Sequence, residues 1–291
     1  MKKHANVLLI FAVFVLTFIS VAFSVKANAD MGPKPSVTVN VTNLPEGGVY
    51  YMTLLSERKN SGPYSADAKY YGEINEIDKK FADYKDEDGY YYLYYYKRVS
   101  AEESFKWGYY PPARFKILIY SANQDAFISS GKLERYAFAS YFTASVSGDE
   151  LLAEYELKVV RSYDYFGEIC KLILRIVFTV AVEIGIAFLF GYRGKSFKVI
   201  LIANLVTQIA LNVGLNVINY LNGALVLIIA YIFFEIVILL AESVFYMIAV
   251  PKIDKECPKK LKRFWVLLLY SVAANVASFA LGALIFWSIG I

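Results

Sequence analysis

The chain predicts a membrane protein in which an all-β, sandwich-like domain precedes an α-helical bundle of four transmembrane segments. Three observations predict it. Residues 167–289 contain four apolar segments, each near or above the ~20 residues that a spanning helix needs. Residues 30–165 are polar and rich in tyrosine, and their apolar residues recur in short alternating runs. The first 29 residues have the layout of an export signal. The chain has 291 residues, 57% of them hydrophobic, with a mean hydropathy of +0.43. That is high for a soluble protein, and the apolar residues concentrate at the two ends.

In the expected signal, 1–29, Lys2 and Lys3 form the charged start, Val7 to Phe23 the apolar run, and Ala27-Asn28-Ala29 a small-residue cleavage site. The run is slightly long, so an uncleaved anchor is the alternative. The next domain, 30–165, begins with a period-2 strand: Val37, Val39 and Val41 alternate with Thr38, Asn40 and Thr42. Asn43 to Gly48 reads as a turn and Val49 to Leu55 as a second strand. Further strands are expected at Tyr90–Val99, Arg114–Tyr120, Tyr136–Val146 and Leu152–Val160, most of them separated by turn residues such as Asp88-Gly89, Pro111-Pro112 and Gly148-Asp149. Such spacing suggests an antiparallel sandwich. Ser56 to Asp88 is charged and irregular, with a short helix or a long loop expected around Glu76 to Tyr84.

The membrane domain, 166–291, is expected to span at about 167–190, 198–218, 225–250 and 264–288. Arg193, Lys195 and Lys198 crowd the first connection, and six basic residues crowd Pro251 to Arg263, whereas Asn219 to Ala224 has no charge. The positive-inside bias places both basic loops in the cytoplasm, and residues 30–165 and the C-terminus outside. The net charge of +4 is accounted for by these loops and carries no nucleic-acid signal.

Cys170 and Cys257 fall on opposite sides of the membrane in this topology, so no disulfide is expected. His4 is the sole histidine and lies in the segment expected to be removed, which excludes His-dependent nucleophilic triads and His-ligated zinc from the mature chain. No cofactor and no metal are expected.

Ala29-Asp30-Met31-Gly32-Pro33-Lys34-Pro35, the run Glu183 to Arg193 (EIGIAFLFGYR), the Asn/Gln-rich second span, and Glu235 followed by Ala241-Glu242 are similar to a group of uncharacterised exported membrane proteins of Gram-positive bacteria. The resemblance covers most of the chain and implies the two-part architecture. It implies no activity.

Polar residues inside the spans are the strongest functional signal. An acidic side chain at the centre of a membrane helix costs roughly 2.5–3.5 kcal/mol on insertion scales, so it normally faces a partner or a cavity. At roughly 100° per residue, Asn204, Gln208, Asn212 and Asn216 form one drifting stripe, and Tyr231, Glu235, Glu242 and Tyr246 fall within about 60° of each other. Arg175, Thr179 and Glu183 mark the first span, and Ser271, Asn275, Ser278 and Gly282 the fourth. Depth counted at ~1.5 Å per residue sets Glu183, Asn204, Glu242 and Ser271 at an inner level. Thr179, Gln208 and Asn275 lie near mid-depth, and Arg175, Asn212, Glu235 and Ser278 nearer the outside. Glu183, Asn204, Gln208, Glu242 and Asn275 are therefore the candidate intramembrane site, and Arg175 with Glu235 a candidate ion pair. The bland alternative is a scaffold, since interhelical hydrogen bonds contribute about 0.6 kcal/mol each.

Outside the spans, a strand through Tyr90–Tyr96 would place Tyr90, Tyr92, Tyr94 and Tyr96 on one face, a candidate aromatic surface for glycan or a partner. The bland alternative is a sheet packed on both faces. Trp107 to Pro112 is a candidate headgroup-touching loop. Three motifs fail: Ser129-Ser130-Gly131-Lys132 lacks the companions of penicillin-binding enzymes, Gly194-Lys195-Ser196 lacks the upstream P-loop glycine, and Asp86-Glu87-Asp88-Gly89 lacks a full calcium ligand series.

The leading expectation is a non-enzymatic cell-envelope protein whose outer domain binds an envelope polymer or a partner protein, anchored in the bilayer by the bundle. A small cation- or proton-coupled transporter subunit, assembled as a homo-oligomer or larger complex, is the alternative. An intramembrane hydrolase is weaker still, because histidines are wanting.

Overall fold

The computed structural model describes residues 32–146 and 157–289, with side chains of the last helix described through Ile285. The expected signal, the Gly148-Asp149 turn and most of the Leu152–Val160 segment lie outside the described residues. Residues 31–163 form one compact unit, and residues 164–291 belong to a second.

The first unit is a β-sandwich. One sheet runs β11 (Lys158–Arg161), β10 (Ala139–Ser145), β1 (Ser36–Thr42), β6 (Phe105–Trp107). The other runs β5 (Lys97–Val99), β2 (Tyr50–Ser56), β7 (Arg114–Ser121), β8 (Ala126–Ser129), with β9 (Leu133–Glu134) also on β7. A ribbon of β3 (Asn60–Ser61) and β4 (Tyr64–Ser65) stands apart from both. The alternation of β1 does what period 2 demands: Val37, Val39 and Val41 enter the core, opposite Met52 and Leu54 of β2 and Ile117 and Ile119 of β7.

The pairing is mixed. β1 is parallel to β10, from Ser36 beside Ala139 to Thr42 beside Ser145, whereas the other strand pairs are antiparallel. Alternation within a strand sets which face is buried and leaves strand direction open, so the expected all-antiparallel arrangement does not hold.

The second sheet is covered on its other face too. Leu118 and Tyr120 of β7 meet Leu55, Phe81 and Tyr92 in a separate apolar cluster. Phe81 is carried by α1 (Glu76–Asp83), which starts at a capping box: Asn75 Oδ1 accepts from Asp78 N at 2.9 Å, and Asp78 Oδ2 from Asn75 N.

Four helices make up the second unit: α2 (Tyr165–Phe190), α3 (Gly194–Asn222), α4 (Ala224–Ile253) and α5 (Phe264–Ile289). All four are long and apolar enough to cross a membrane. Large apolar side chains such as Phe166, Leu189, Ile202, Ile229, Leu240 and Leu269 point outward, while Glu183, Gln208, Glu242 and Asn275 are buried. This inside-out distribution makes the chain an integral, multi-pass membrane protein in contact with lipid. α2 and α4 each pack against both α3 and α5, so α2 and α4 are diagonal partners, as are α3 and α5.

The helix ends correct two expected boundaries. α3 is longer than 198–218 at both ends, and the expected Asn219–Ala224 loop shrinks to Gly223, whose φ of 79° lets one residue turn the chain from α3 into α4. At the other end, Gly191 closes α2 in the left-handed conformation, its N–H directed to Ala187 O and Phe188 O.

Candidate functional site

The polar faces of the four helices meet between two apolar clusters. Toward the Gly223 turn lie Leu211, Leu215, Ile218, Leu227 and Phe234; toward the basic loops lie Ala187, Ile200, Val250, Leu267 and Ala274. Between them, Glu183 of α2 is 0% and Glu242 of α4 1% exposed. Each diagonal carboxylate is held by the helices beside it.

Glu183 Oε1 accepts from Gln208 Nε2 of α3 at 2.8 Å. Gln208 is positioned in turn: its Oε1 accepts from Thr179 Oγ1 at 3.1 Å and from Asn212 Nδ2 at 3.2 Å, and its backbone carbonyl accepts from the same Asn212 amide. Glu242 Oε1 accepts from Thr207 Oγ1 at 2.5 Å, and its Oε2 from Asn275 Nδ2 of α5 at 2.9 Å. Asn275 Nδ2 also donates to Ser271 O at 3.0 Å. Ser278, one turn along α5, donates to Asn275 O at 3.1 Å, and the Glu183 carboxylate lies within electrostatic reach of Glu242. Together these contacts make two hydrogen-bonded networks, one joining α2 to α3 and the other joining α3, α4 and α5. Such a network is stable only when its members are satisfied, because an unpaired polar group in a dry interior loses its full hydration. Among the described residues, Glu183 Oε2, Asn204 Nδ2, Asn275 Oδ1 and Tyr270 Oη have no hydrogen-bond partner.

Four of the five expected site residues therefore share direct contacts: Glu183 with Gln208, and Glu242 with Asn275. Asn204 stands a turn away from that pairing. Its Oδ1 takes the Tyr246 hydroxyl, beside Tyr270. The longer reach of Gln208, from the next turn, places its amide on Glu183 instead. Arg175 and Glu235 are both buried. They sit on diagonal helices, and the Tyr231 side chain lies in the field of both, donating to Phe279 O at 3.0 Å. Gly282 makes room for that tyrosine, since a Cβ there would collide with its hydroxyl.

Two contributors escaped the sequence reading. Thr207 lies off the i, i+4 stripe, yet one turn from Asn204 it reaches Glu242. Asp254, amid the basic residues of the α4–α5 connection, is 5% exposed rather than solvated. Its Oδ2 accepts from Ser196 N at 2.9 Å and Ser196 Oγ at 2.6 Å, and its Oδ1 from Glu256 N and Cys257 N. These hydrogen bonds, led by that of the Ser196 hydroxyl, hold its carboxyl below the usual aspartate range. Asp254 thus caps the start of α3 from another helix, where an anion also meets the helix dipole. Cys257 beside it is buried, and both cysteines are free.

The tyrosine run of the β unit does not form a strand. Only Tyr91 bridges to Ser56, and Tyr94 sits at a φ of 54°. Tyr92 is buried under α1, stacked on Phe81 with its hydroxyl on Asp78 Oδ1 at 2.7 Å; Tyr90, Tyr94 and Tyr96 are half-buried around it. The four rings chiefly cover the second sheet. Trp107 is also in the core, 0% exposed, which removes it from any headgroup contact.

The acidic turn holds lysines. Asp86 Oδ1 meets Lys116 Nζ at 2.7 Å, and Asp88 meets Lys116 at 2.8 Å and Lys132 at 2.7 Å. Hydrogen bonds from Lys116 and then Lys132 hold the Asp88 carboxyl low. Burial works against the Lys116 charge, but Asp86 and Asp88 prevail and hold its pKa above the usual lysine value. With Lys132 so bound to Asp88, the lysine of the S-x-x-K spacing from Ser129 is held by a carboxylate of the acidic turn. Nearby is a cleft of about 460 Å³, lined by Glu57, Arg114, Lys132, Glu134 and Arg161 with Tyr90.

No protein-family model, curated protein or solved structure matches the chain.

Proposed function

We propose that this chain is a cell-envelope membrane protein in which the bundle anchors an extracytoplasmic interaction domain, exported by the N-terminal signal and oriented by the two basic loops. The observation that carries the reading is the division into a membrane-spanning unit and a β unit with its own core and a cleft lined by charges of both signs. A mixed-charge cleft suits a polar polymer or a protein loop, and the membrane proteins of Gram-positive bacteria that the sequence resembles are consistent with that setting. Co-purification from detergent-solubilised membranes tests it. The full-length protein brings down a partner or envelope polymer, Arg114→Glu/Arg161→Glu loses it, and Glu183→Gln/Glu242→Gln keeps it. Retention of the partner by the cleft variant would remove the reading.

The orphaned oxygens of Glu183 and Asn275 favour a second reading, a proton-coupled membrane subunit. It predicts the reverse dependence: proton flux into vesicles containing the full-length protein, abolished by Glu183→Gln/Glu242→Gln and indifferent to the cleft.

A further inference from the structure

We infer that the basic end of the bundle is a docking surface for anionic phospholipid headgroups, assembled in the folded protein from both basic connections. The inference goes beyond the readings above and needs only that the four helices cross the bilayer. It holds whichever side that end faces. Each connection is basic in sequence, and the fold ties the two together. Tyr192, between α2 and α3, donates its hydroxyl to Leu261 O, between α4 and α5, at 3.1 Å. Asp254, just past α4, accepts from Ser196 N at 2.9 Å and Ser196 Oγ at 2.6 Å, in the first turn of α3. Tyr192, Cys257 and Leu261 share one buried apolar cluster at this junction.

The junction also sorts the charges. Asp254 is buried in it, which leaves Glu256 as the exposed acid of the two connections. Arg193 is engaged by α2, its Nη1 donating to Phe188 O and Tyr192 O at 2.8 and 2.7 Å, and Lys262 Nζ donates to Lys255 O at 2.9 Å. The remaining cations stay outside: Lys195 and Lys198 at the start of α3, Lys252 and Lys255 around the end of α4, and Lys259, Lys260 and Arg263 before α5. Among the described residues no carboxylate forms an ion pair with any of them. Charge so one-sided repels itself unless anions lie over it. The depth of this surface selects the anion. Phe264 and Trp265, 52% and 74% exposed, follow Arg263 at the start of a helix long and apolar enough to span. An outward tryptophan at the end of a span belongs at the headgroup level, where lipid phosphates are the anions at hand. The start of α3 is not itself the phosphate site, because Asp254 already fills it. Insertion by the positive-inside bias requires each loop to be basic, and does not require the loops to be joined.

Native mass spectrometry of the full-length protein in detergent tests the inference, with phosphatidylglycerol and phosphatidylcholine offered at equal concentration. The expected result is retention of phosphatidylglycerol over phosphatidylcholine. Lys195→Gln/Lys198→Gln and Lys259→Gln/Lys260→Gln should each weaken phosphatidylglycerol binding on the order of tenfold, because both connections contribute. Lys97→Gln/Arg98→Gln, which removes two exposed cations of β5, should leave it unchanged. All the substituted side chains are exposed, and the purified protein is already inserted, so charges that act only during insertion would leave lipid binding unaltered. Equal retention of the two lipids, unchanged phosphatidylglycerol binding in either bundle variant, or a matching loss in the β5 variant would overturn the inference. Displacement of phosphatidylglycerol by an equal concentration of glycerol phosphate would make the ligand a soluble phosphate and overturn it as well.

Discussion

Lys116→Met isolates the most consequential ion pair of the β unit. The Lys116 side chain is 8% and that of Asp86 1% exposed, so removing the lysine leaves a carboxylate in the interior with no counter-charge. Breaking a buried pair from one side costs roughly 3–5 kcal/mol. The lower end, about 3 kcal/mol, applies here, because Asp88 completes the cluster from a position 37% exposed. Lys132 binds the same Asp88 but is 61% exposed, so solvent screens its bridge and its loss should cost far less. Asp86 Oδ2 also accepts from Asp88 N and Tyr90 N, so Asp86→Asn keeps an oxygen for the turn while removing the orphaned charge. The double variant Lys116→Met/Asp86→Asn should therefore recover most of the loss. Urea unfolding of residues 31–163, followed by the emission of the buried Trp107, measures all three. A cost for Lys116→Met no larger than that for Lys132→Met would refute the reasoning.

The same cluster sets a pH dependence with a defined sign. Asp88 is held low by Lys116 and Lys132, so its contribution is full above the unfolded aspartate value of about 3.9 and is lost as pH falls through the folded value. Lys116 is held high, so its contribution is full below about 10.4 and is lost as pH rises through the folded value; Lys116→Met should flatten the alkaline loss and weaken the acid one. In the bundle, Gly282→Ala should drive the Tyr231 hydroxyl off Phe279 O and lower stability in detergent by about 1–3 kcal/mol, while Gly282→Ala/Tyr231→Phe recovers part of it; an unaffected single variant would contradict the packing. Cysteines introduced at Lys195 or Lys259 should resist an impermeant thiol reagent in intact cells, and one at Gly223 should react; labelling at Lys259 in sealed cells would invert the orientation.

Legibility in the sequence followed the range of the interaction. Val37, Val39 and Val41 announce β1 because alternation against water is local, whereas its parallel partner is about a hundred residues away and leaves no local mark. The tyrosines at 90–96 mislead because their strand preference is context-dependent: here the outer face of a sheet and α1 need rings to cover them, and the backbone bends to supply them. Within the spans, carboxylates and amides stand out against an apolar background, which is why Glu183, Gln208, Glu242 and Asn275 were legible. Their partners were less so. The depth count paired Glu183 with Asn204, and the structure pairs it with Gln208, because side-chain reach decides contacts within a turn. Asp254 was hidden among lysines, where an acidic residue reads as solvated, and its capping of α3 requires two helices to meet.

The central claim is that diagonal helices α2 and α4 direct Glu183 and Glu242 into one interior centre. Crosslinking in native membranes tests it most directly. With Cys170 and Cys257 replaced, Glu183→Cys/Glu242→Cys is treated with a short bifunctional thiol reagent. The account predicts an intramolecular crosslink formed at the same yield in dilute and concentrated membranes. A folded variant that stays uncrosslinked, or that crosslinks only between chains, would contradict it.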